Sequence, residues 1–193
     1  NKVLEFANRC GMKLVFVTRD EYRALKQDNK AVGAKLDSKQ LCFVPEGGSN
    51  EFALKGCAEV KNDIHIDFDY IVTACGTGMT LAGIAKSLEP HQKAIGISVL
   101  HGESFLDKDV AQWSGKNDVR VIHDYHFGGY AKTSDELNKY CNEFYFKYHI
   151  HIEPIYTGKM FYGLYDLIKN DFFPHGKTII ALHSGGIFDF TKG

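Results

Sequence analysis

Short apolar runs recur along the chain, and most are continuous rather than alternating: Leu14–Val17, Leu41–Val44, Tyr70–Ala74, Ala94–Val99, Val119–His123 and Thr178–Leu182. Rich in Val, Ile, Phe and Tyr, they predict strands, and their unbroken apolarity predicts strands buried on both faces of a parallel sheet. Between them the period lengthens. Asn1–Cys10 reads as the end of a helix, and Glu21 to about Ala31 as a further helix. Ser49 or Asn50 caps a segment running to about Lys61, and Thr80–Leu88 and Phe105–Trp113 are helical in pattern. Thr133 with Glu136 predicts a capping box before a helix through Lys147. Lys159–Ile168 closes the series, with Phe161, Leu164, Tyr165 and Ile168 on one face. Strands alternating with helices predict an α/β fold with a parallel sheet. A polar stretch near Asp37–Gln40 marks a boundary between residues 1–38 and residues 39–193.

Composition narrows the function classes. Hydrophobic residues make up 44% and charged residues 24%, an ordinary globular balance. A formal net charge of -1 argues against nucleic acid as a partner, which would call for a basic excess. The five cysteines, Cys10, Cys42, Cys57, Cys75 and Cys141, are scattered and form no CxxC pair. They read as free thiols, which fits a reducing, cytoplasmic setting. No apolar run reaches the length needed to cross a bilayer, so no membrane role is expected.

The strongest local signal is Tyr70-Ile-Val-Thr-Ala-Cys-Gly-Thr-Gly-Met-Thr-Leu-Ala-Gly83. An apolar strand ends, a glycine-bearing loop follows, and a helix starts near Thr80. Such a loop turns several backbone N–H groups to one point, and the helix N-terminus adds partial positive charge. Gly76 and Gly78 let the backbone approach an anion, and Thr77 and Thr80 offer hydroxyl donors. The dinucleotide fingerprint would need glycine at position 81, where Leu81 stands, and no Gly-Lys-Ser/Thr follows as in a Walker loop. A tight strand-to-helix turn without a ligand remains the alternative at this point. Val44-Pro-Glu-Gly-Gly-Ser-Asn50 is explained by a turn and a cap. Glu153-Pro-Ile-Tyr-Thr-Gly-Lys159 precedes a helix, and Leu182-His-Ser-Gly-Gly186 ends the last strand. Ligands of open α/β sheets gather beyond the carboxyl ends of strands, so hydroxyls of Tyr156, Thr157 and Ser184 could converge with the Gly76–Thr80 loop.

Taken in order, PEGGSN, ACGTGMTLAG, FGGYAKTSDEL, EPIYTGKMFYG and LHSGG resemble the successive motifs of the D-cysteine desulfhydrase and 1-aminocyclopropane-1-carboxylate deaminase family. The resemblance runs from about Gly11 to the end of the chain. It implies the C-terminal portion of the tryptophan synthase β-like fold, with residues 1–38 a remnant of the small domain and 39–193 the large cofactor-binding domain. It implies pyridoxal 5'-phosphate as cofactor, a small amino acid as substrate and a homodimer. The backbone of Gly76, Thr77, Gly78, Met79 and Thr80 would hold the cofactor phosphate, with Thr157, Ser184 and Gly185 also at the cofactor. Ser184 matches the position of a threonine that faces the pyridine nitrogen in the desulfhydrases. Tyr156 and Tyr130 match active-site tyrosines, although the family often has Tyr-Gly where Ala131 follows Tyr130.

Thr157 and Ser184 follow the desulfhydrase-like pattern; the deaminases resemble Tyr-Glu-Gly-Lys and Leu-Gly-Gly there. The expected reaction is therefore α,β-elimination from an amino acid such as D-cysteine, giving pyruvate, ammonia and sulfide. The alternative is deamination of 1-aminocyclopropane-1-carboxylate. The family carries its cofactor lysine in a Gly-Asn-Lys motif followed by Ser-Asn-His. Asn1-Lys2 matches only the end of the first motif, and the sequence from Gly11 resembles a later part of the family, so the chain is expected to be N-terminally incomplete. Lys159 reads as a structural lysine at a helix start. Two further classes stay open: a non-catalytic phosphate-binding remnant, and a phosphate-ester or nucleotide enzyme sharing only the loop. His149, His151 and Glu153 would share a face if extended, but no HExxH or cysteine–histidine framework is present, and no metal site is assigned. Cys75, beside the loop, is a candidate nucleophile without an assignable base.

Overall fold

The computed structural model describes residues 2–27, 44–102, 105–116 and 119–185. The chain divides into two compact units: the described residues of the first are 2–27 and 44–45, those of the second 46–102, 105–116 and 119–185. The boundary expected between residues 38 and 39 lies outside the described residues. So does the strand expected at Leu41–Val44, apart from Val44.

In the first unit, helix α1 spans Lys2–Arg9 and α2 spans Arg19–Gln27. Thr18 and Glu21 close a capping box at the start of α2: the Glu21 N–H donates to Thr18 Oγ1 at 3.2 Å, and the Thr18 N–H to Glu21 Oε2 at 2.8 Å. The strand expected at Leu14–Val17 is absent; these residues are irregular, and Phe16 is 78% exposed. An apolar run becomes a strand only where another strand pairs with it, and none does among the described residues.

The second unit opens with α3 (Glu51–Glu59), capped by Asn50, whose Oδ1 accepts from the Ala53 N–H at 2.8 Å. Then come β1 (Tyr70–Cys75), α4 (Met79–Ser87), β2 (Lys93–Ser98), α5 (Phe105–Ser114), β3 (Arg120–Ile122), α6 (Asp135–Tyr148), α7 (Thr157–Lys169) and β4 (Ile179–Ala181). The sheet is parallel throughout, in the order β3-β2-β1-β4. β1 is central: Tyr70 to Cys75 pair with Lys93 to Ser98 on one side, and Tyr70 to Val72 with Ile179 to Ala181 on the other.

Apolar side chains lie on both faces, as the continuous runs predicted. On one face Ile71 and Cys75 pack with Leu54, Leu81, Ile84, Leu106 and Val110 beneath α3, α4 and α5, with Trp113 partly buried at the margin. On the other, Val72, Ile95, Ile97 and Ile122 pack with Leu137, Phe144, Met160 and Leu164 beneath α6 and α7. Gly83 lets α3 and α4 approach closely: a Cβ there would lie 2.4 Å from Cys57 Cβ and 2.7 Å from the Leu54 carbonyl oxygen.

Two local expectations differ. The cap of α6 is Ser134, whose hydroxyl accepts from the Leu137 N–H at 3.1 Å. This puts Leu137 three residues past the cap, where no reciprocal bond is available, and Glu136 instead accepts from the Tyr162 hydroxyl. On α7, Phe161 and Leu164 are buried but Ile168 is 46% exposed while Leu167 beside it is buried, so at the last turn the covered stripe passes through Leu167.

Candidate functional site

β1 ends at Cys75, and the chain passes through Gly76, Thr77 and Gly78 into α4. Gly78 adopts φ +84°, and a Cβ there would meet Val110 Cγ2 at 2.5 Å, so both conformation and space call for glycine. No side chain caps α4, and its first backbone bond runs from the Ala82 N–H to the Gly78 carbonyl at 2.9 Å. The amides before Ala82 therefore have no helical acceptor and stand at the positive end of the helix dipole. A hollow of about 250 Å³ opens beside them. Its lining among the described residues comprises Gly47, Ala74, the run from Gly76 to Leu81, Tyr156, Ser184 and Gly185, none of them acidic.

Topology places the hollow. The chain leaves β1 toward β2 on one side, whereas β4 lies on β1's other side. The segments after β1 and β4 thus border the crevice where strand order reverses, at the carboxyl ends of the strands. After β4, the Gly185 N–H donates to His183 Nδ1 at 3.1 Å, and His183 Nε2 lies 2.7 Å from the His151 carbonyl oxygen. Both contacts are satisfied by the tautomer with its proton on Nε2. The imidazole so pins the turn carrying Ser184 and Gly185.

Tyr156 immediately precedes α7, and its ring lies over Gly76: a Cβ on that glycine would sit 3.2 Å from Tyr156 Cε1. The Glu153 carboxylate sets this corner. It accepts from the N–H groups of Ile155 at 2.6 Å, Tyr156 at 2.9 Å and Thr157 at 2.7 Å, and from the Thr157 hydroxyl at 3.1 Å. The pKa of Tyr156 is raised, by burial first and the neighbouring Tyr130 phenol next, with the charge of Glu153 adding to them. The phenol accordingly stays protonated at neutral pH. The Tyr130 ring meets that of Tyr156 edge-on at 5.8 Å; it is 58% exposed and borders the hollow only through Tyr156.

Of the residues singled out in the sequence, Gly76, Thr77, Gly78, Met79, Thr80, Tyr156, Ser184 and Gly185 share this one hollow. Thr157 does not. It is buried, and its hydroxyl is held between the Glu153 carboxylate and the Glu153 N–H, which donates to it at 3.0 Å. As the first residue of α7 its side chain turns back along the chain, away from the lining. The histidine grouping also separates: His149 ends α6 at φ 56°, His151 stacks on Tyr145 at 3.9 Å, and Glu153 serves amides. No cluster able to hold a metal occurs among the described residues. Burial, with the charge of Asp107 adding to it, pushes the Cys75 thiol up to about 12, far from a nucleophile's range. Three residues take roles that the sequence did not assign them. Gly47 brings its turn to the lining, Glu153 builds the Tyr156 corner, and Lys159, expected as a structural lysine at a helix start, ties a distant loop. All three lay inside quoted motifs, but their partners were not readable there.

Residues 4–185 match the family described as pyridoxal-phosphate dependent enzymes. The chain is 31% identical over 195 residues to a Pyrococcus furiosus protein named "Putative 1-aminocyclopropane-1-carboxylate deaminase", covering 90% of this chain and 58% of that one. It is 29% identical over 206 residues to the mitochondrial bifunctional D-cysteine desulfhydrase/1-aminocyclopropane-1-carboxylate deaminase of Arabidopsis thaliana, covering 92% and 50% respectively. A crystal structure of an ACC deaminase homologue superposes with a TM-score of 0.72 at 29% identity, over 94% of this chain and 61% of that one. The chain thus spans between half and three fifths of the length of these relatives.

Proposed function

The chain belongs to the family of pyridoxal-phosphate dependent enzymes, and on that premise we propose that the hollow beside residues 76–80 receives the phosphate of pyridoxal phosphate in a protein that eliminates or deaminates a small amino acid. The observation carrying this reading is the uncapped start of α4 opening onto a space that Tyr156 and Ser184 also line. The residues fit the group: backbone amides and the hydroxyl-bearing Thr77 and Thr80 suit a phosphate ester, and among the described residues no carboxylate lines the hollow. When bound, the cofactor supplies an electron sink for the carbon that bears the substrate's amino group.

The chain's own residues take separate tasks. The amides from Gly76 to Thr80 fix the phosphate and so the register of the ring. The Ser184 hydroxyl is assigned to the pyridine nitrogen, where a neutral partner leaves that nitrogen largely unprotonated and the ring a milder sink. The Tyr156 phenol, held neutral, keeps a proton ready beside the substrate, and Tyr130 flanks it. Ser184, together with Thr157 behind Tyr156, favours elimination from a D-cysteine-like substrate, giving pyruvate, ammonia and sulfide. The names of the relatives support deamination of 1-aminocyclopropane-1-carboxylate to 2-oxobutanoate and ammonia as the second reading. A cytoplasmic homodimer completes the proposal. For location, the supporting facts are that no described helix is long and apolar enough to cross a membrane and that the described cysteines are free.

Absorbance of the protein mixed with pyridoxal phosphate tests the reading. A band above about 400 nm that borohydride bleaches, with the adduct mapped to one lysine, is the expected result for a protein carrying that lysine. Sulfide release from D-cysteine against 2-oxobutanoate from the cyclopropane substrate then separates the two reactions. Failure of the phosphate to bind, with or without the lysine, would overturn the assignment of the hollow.

A further inference from the structure

Lys159 is 0% exposed and the largest wholly buried side chain among the described residues. It sits in the first turn of α7, the end of a helix dipole that disfavours a cation. A buried ammonium persists only where its protons are taken up. Lys159 Nζ donates to the backbone carbonyls of His126 and Gly129, each at 2.8 Å. Burial lowers its pKa, with the charge of Glu153 acting the other way.

Those two carbonyls belong to a loop of unusual backbone. Phe127, Gly128, Gly129 and Ala131 all have positive φ, of 50°, 89°, 112° and 55°. The same carbonyls close its turns, accepting from the Gly129 N–H at 3.0 Å and the Lys132 N–H at 3.1 Å. A segment held in left-handed conformations needs surroundings that over-determine it. The ammonium is a second donor to each carbonyl, beside the turn N–H, and ties the loop to α7. Tyr130 directly follows the clamped Gly129, while Lys159 lies three residues beyond Tyr156 on α7. One helical turn therefore bears one tyrosine and ties down the loop that bears the other.

We infer that Lys159 is a positioning residue for the tyrosine pair: its ammonium holds the 126–130 loop so that the Tyr130 phenol stands against Tyr156. The inference rests on the proposed function, since it gives the pair its purpose, and it adds a residue to which the sequence lent only a local structural role. A buried methionine would fill similar volume without holding either carbonyl.

The test uses the full-length protein loaded with pyridoxal phosphate and the variants Lys159→Met, Tyr130→Phe and their combination. Lys159→Met is expected to lower kcat at least tenfold while KM and cofactor affinity stay within about twofold, because the 76–80 amides are untouched. It is expected to add little to Tyr130→Phe, since both remove the same placement. Hydrogen exchange at the Gly129 and Lys132 amides, measured without substrate, is expected to accelerate at least tenfold. A parallel loss of cofactor affinity, melting temperature and kcat, or a full additive loss in the Tyr130→Phe background, would reduce Lys159 to a structural residue and overturn the inference. Should Lys159→Met not fold, Lys159→Gln, which keeps a neutral donor, is measured by the same readouts. If the wild-type protein bound no cofactor, the proposed function would fall. The exchange experiment would then still judge the clamp, and unchanged exchange would sink it.

Discussion

The N-terminus of α7 is filled by its own chain: the Glu153 carboxylate takes the N–H groups of Ile155, Tyr156 and Thr157. The N-terminus of α4 has no such cap, and its amides border a hollow. A Thr-Gly pair lies at both starts, but in different registers: Thr157 and Gly158 are the first two residues of α7, whereas Thr77 and Gly78 precede α4, which begins at Met79. Four residues before Thr157 stands Glu153, whose carboxylate turns back onto the helix start, and no side chain does so at α4. Every helix start carries partial positive charge and spare donors. A carboxylate from the same chain consumes that capacity as structure; its absence leaves it for an anion from outside. A Thr-Gly pair alone therefore says little about binding, and the distribution of nearby acids says more.

The comparison can be broken most severely by closing the open end. Thr77→Asp brings a carboxylate to the start of α4 and is expected to weaken pyridoxal-phosphate binding on the order of 100-fold, by repulsion and by occupying the amides. Its melting temperature should hold or rise, which separates the effect from misfolding; equilibrium dialysis and calorimetry give the two readouts. Opening the closed end is the converse. Glu153→Ala strands up to three amides and is expected to cost about 1–3 kcal/mol in urea unfolding, with Glu153→Gln recovering part of it. A kcat loss without a stability loss would show that the carboxylate acts on the Tyr156 corner rather than on the fold. A third helix start calibrates the scale. Asn50 closes α3 with a single bond, so Asn50→Ala should cost about 1 kcal/mol and leave cofactor binding unchanged.

The smallest expected effect comes from pH. His126, whose carbonyl Lys159 clamps, has its pKa lowered by burial first, then by His101 and Lys159. Below the ordinary histidine range the unfolded chain binds a proton that the folded one resists, so stability should be full above about pH 6.5 and decline as pH falls through the lowered value. His126→Asn should flatten that part of a stability-against-pH curve.

The sheet was legible because two-face burial leaves a plain mark: Tyr70–Ala74 and Ala94–Val99 were read within a residue of β1 and β2. Leu14–Val17 has the same apolarity, yet strand formation depends on a partner that a local window does not contain. Helix starts were readable to within two residues. That was enough to find α4 but not enough to choose Ser134 over Thr133, since adjacent hydroxyls differ only in the backbone angle each adopts. The loop after β1 was recognisable because glycine is demanded locally. The duties of Glu153 and Lys159 were not. Glu153 acts through a turn whose direction no periodicity records, and Lys159 acts on carbonyls some thirty positions away, which composition and spacing leave undetermined.

The position of Trp113 has a practical consequence. It is the chain's sole tryptophan, at the edge of the α3–α5 layer, whereas Tyr125, Tyr140, Tyr162 and Tyr165 crowd the opposite layer with α6 and α7. Indole emission, excited beyond the phenol absorption edge, will therefore follow loosening on one side of the sheet alone. Set beside hydrogen exchange at the amides of α6 and α7 on the other side, any lag during denaturation would reveal which side lets go first.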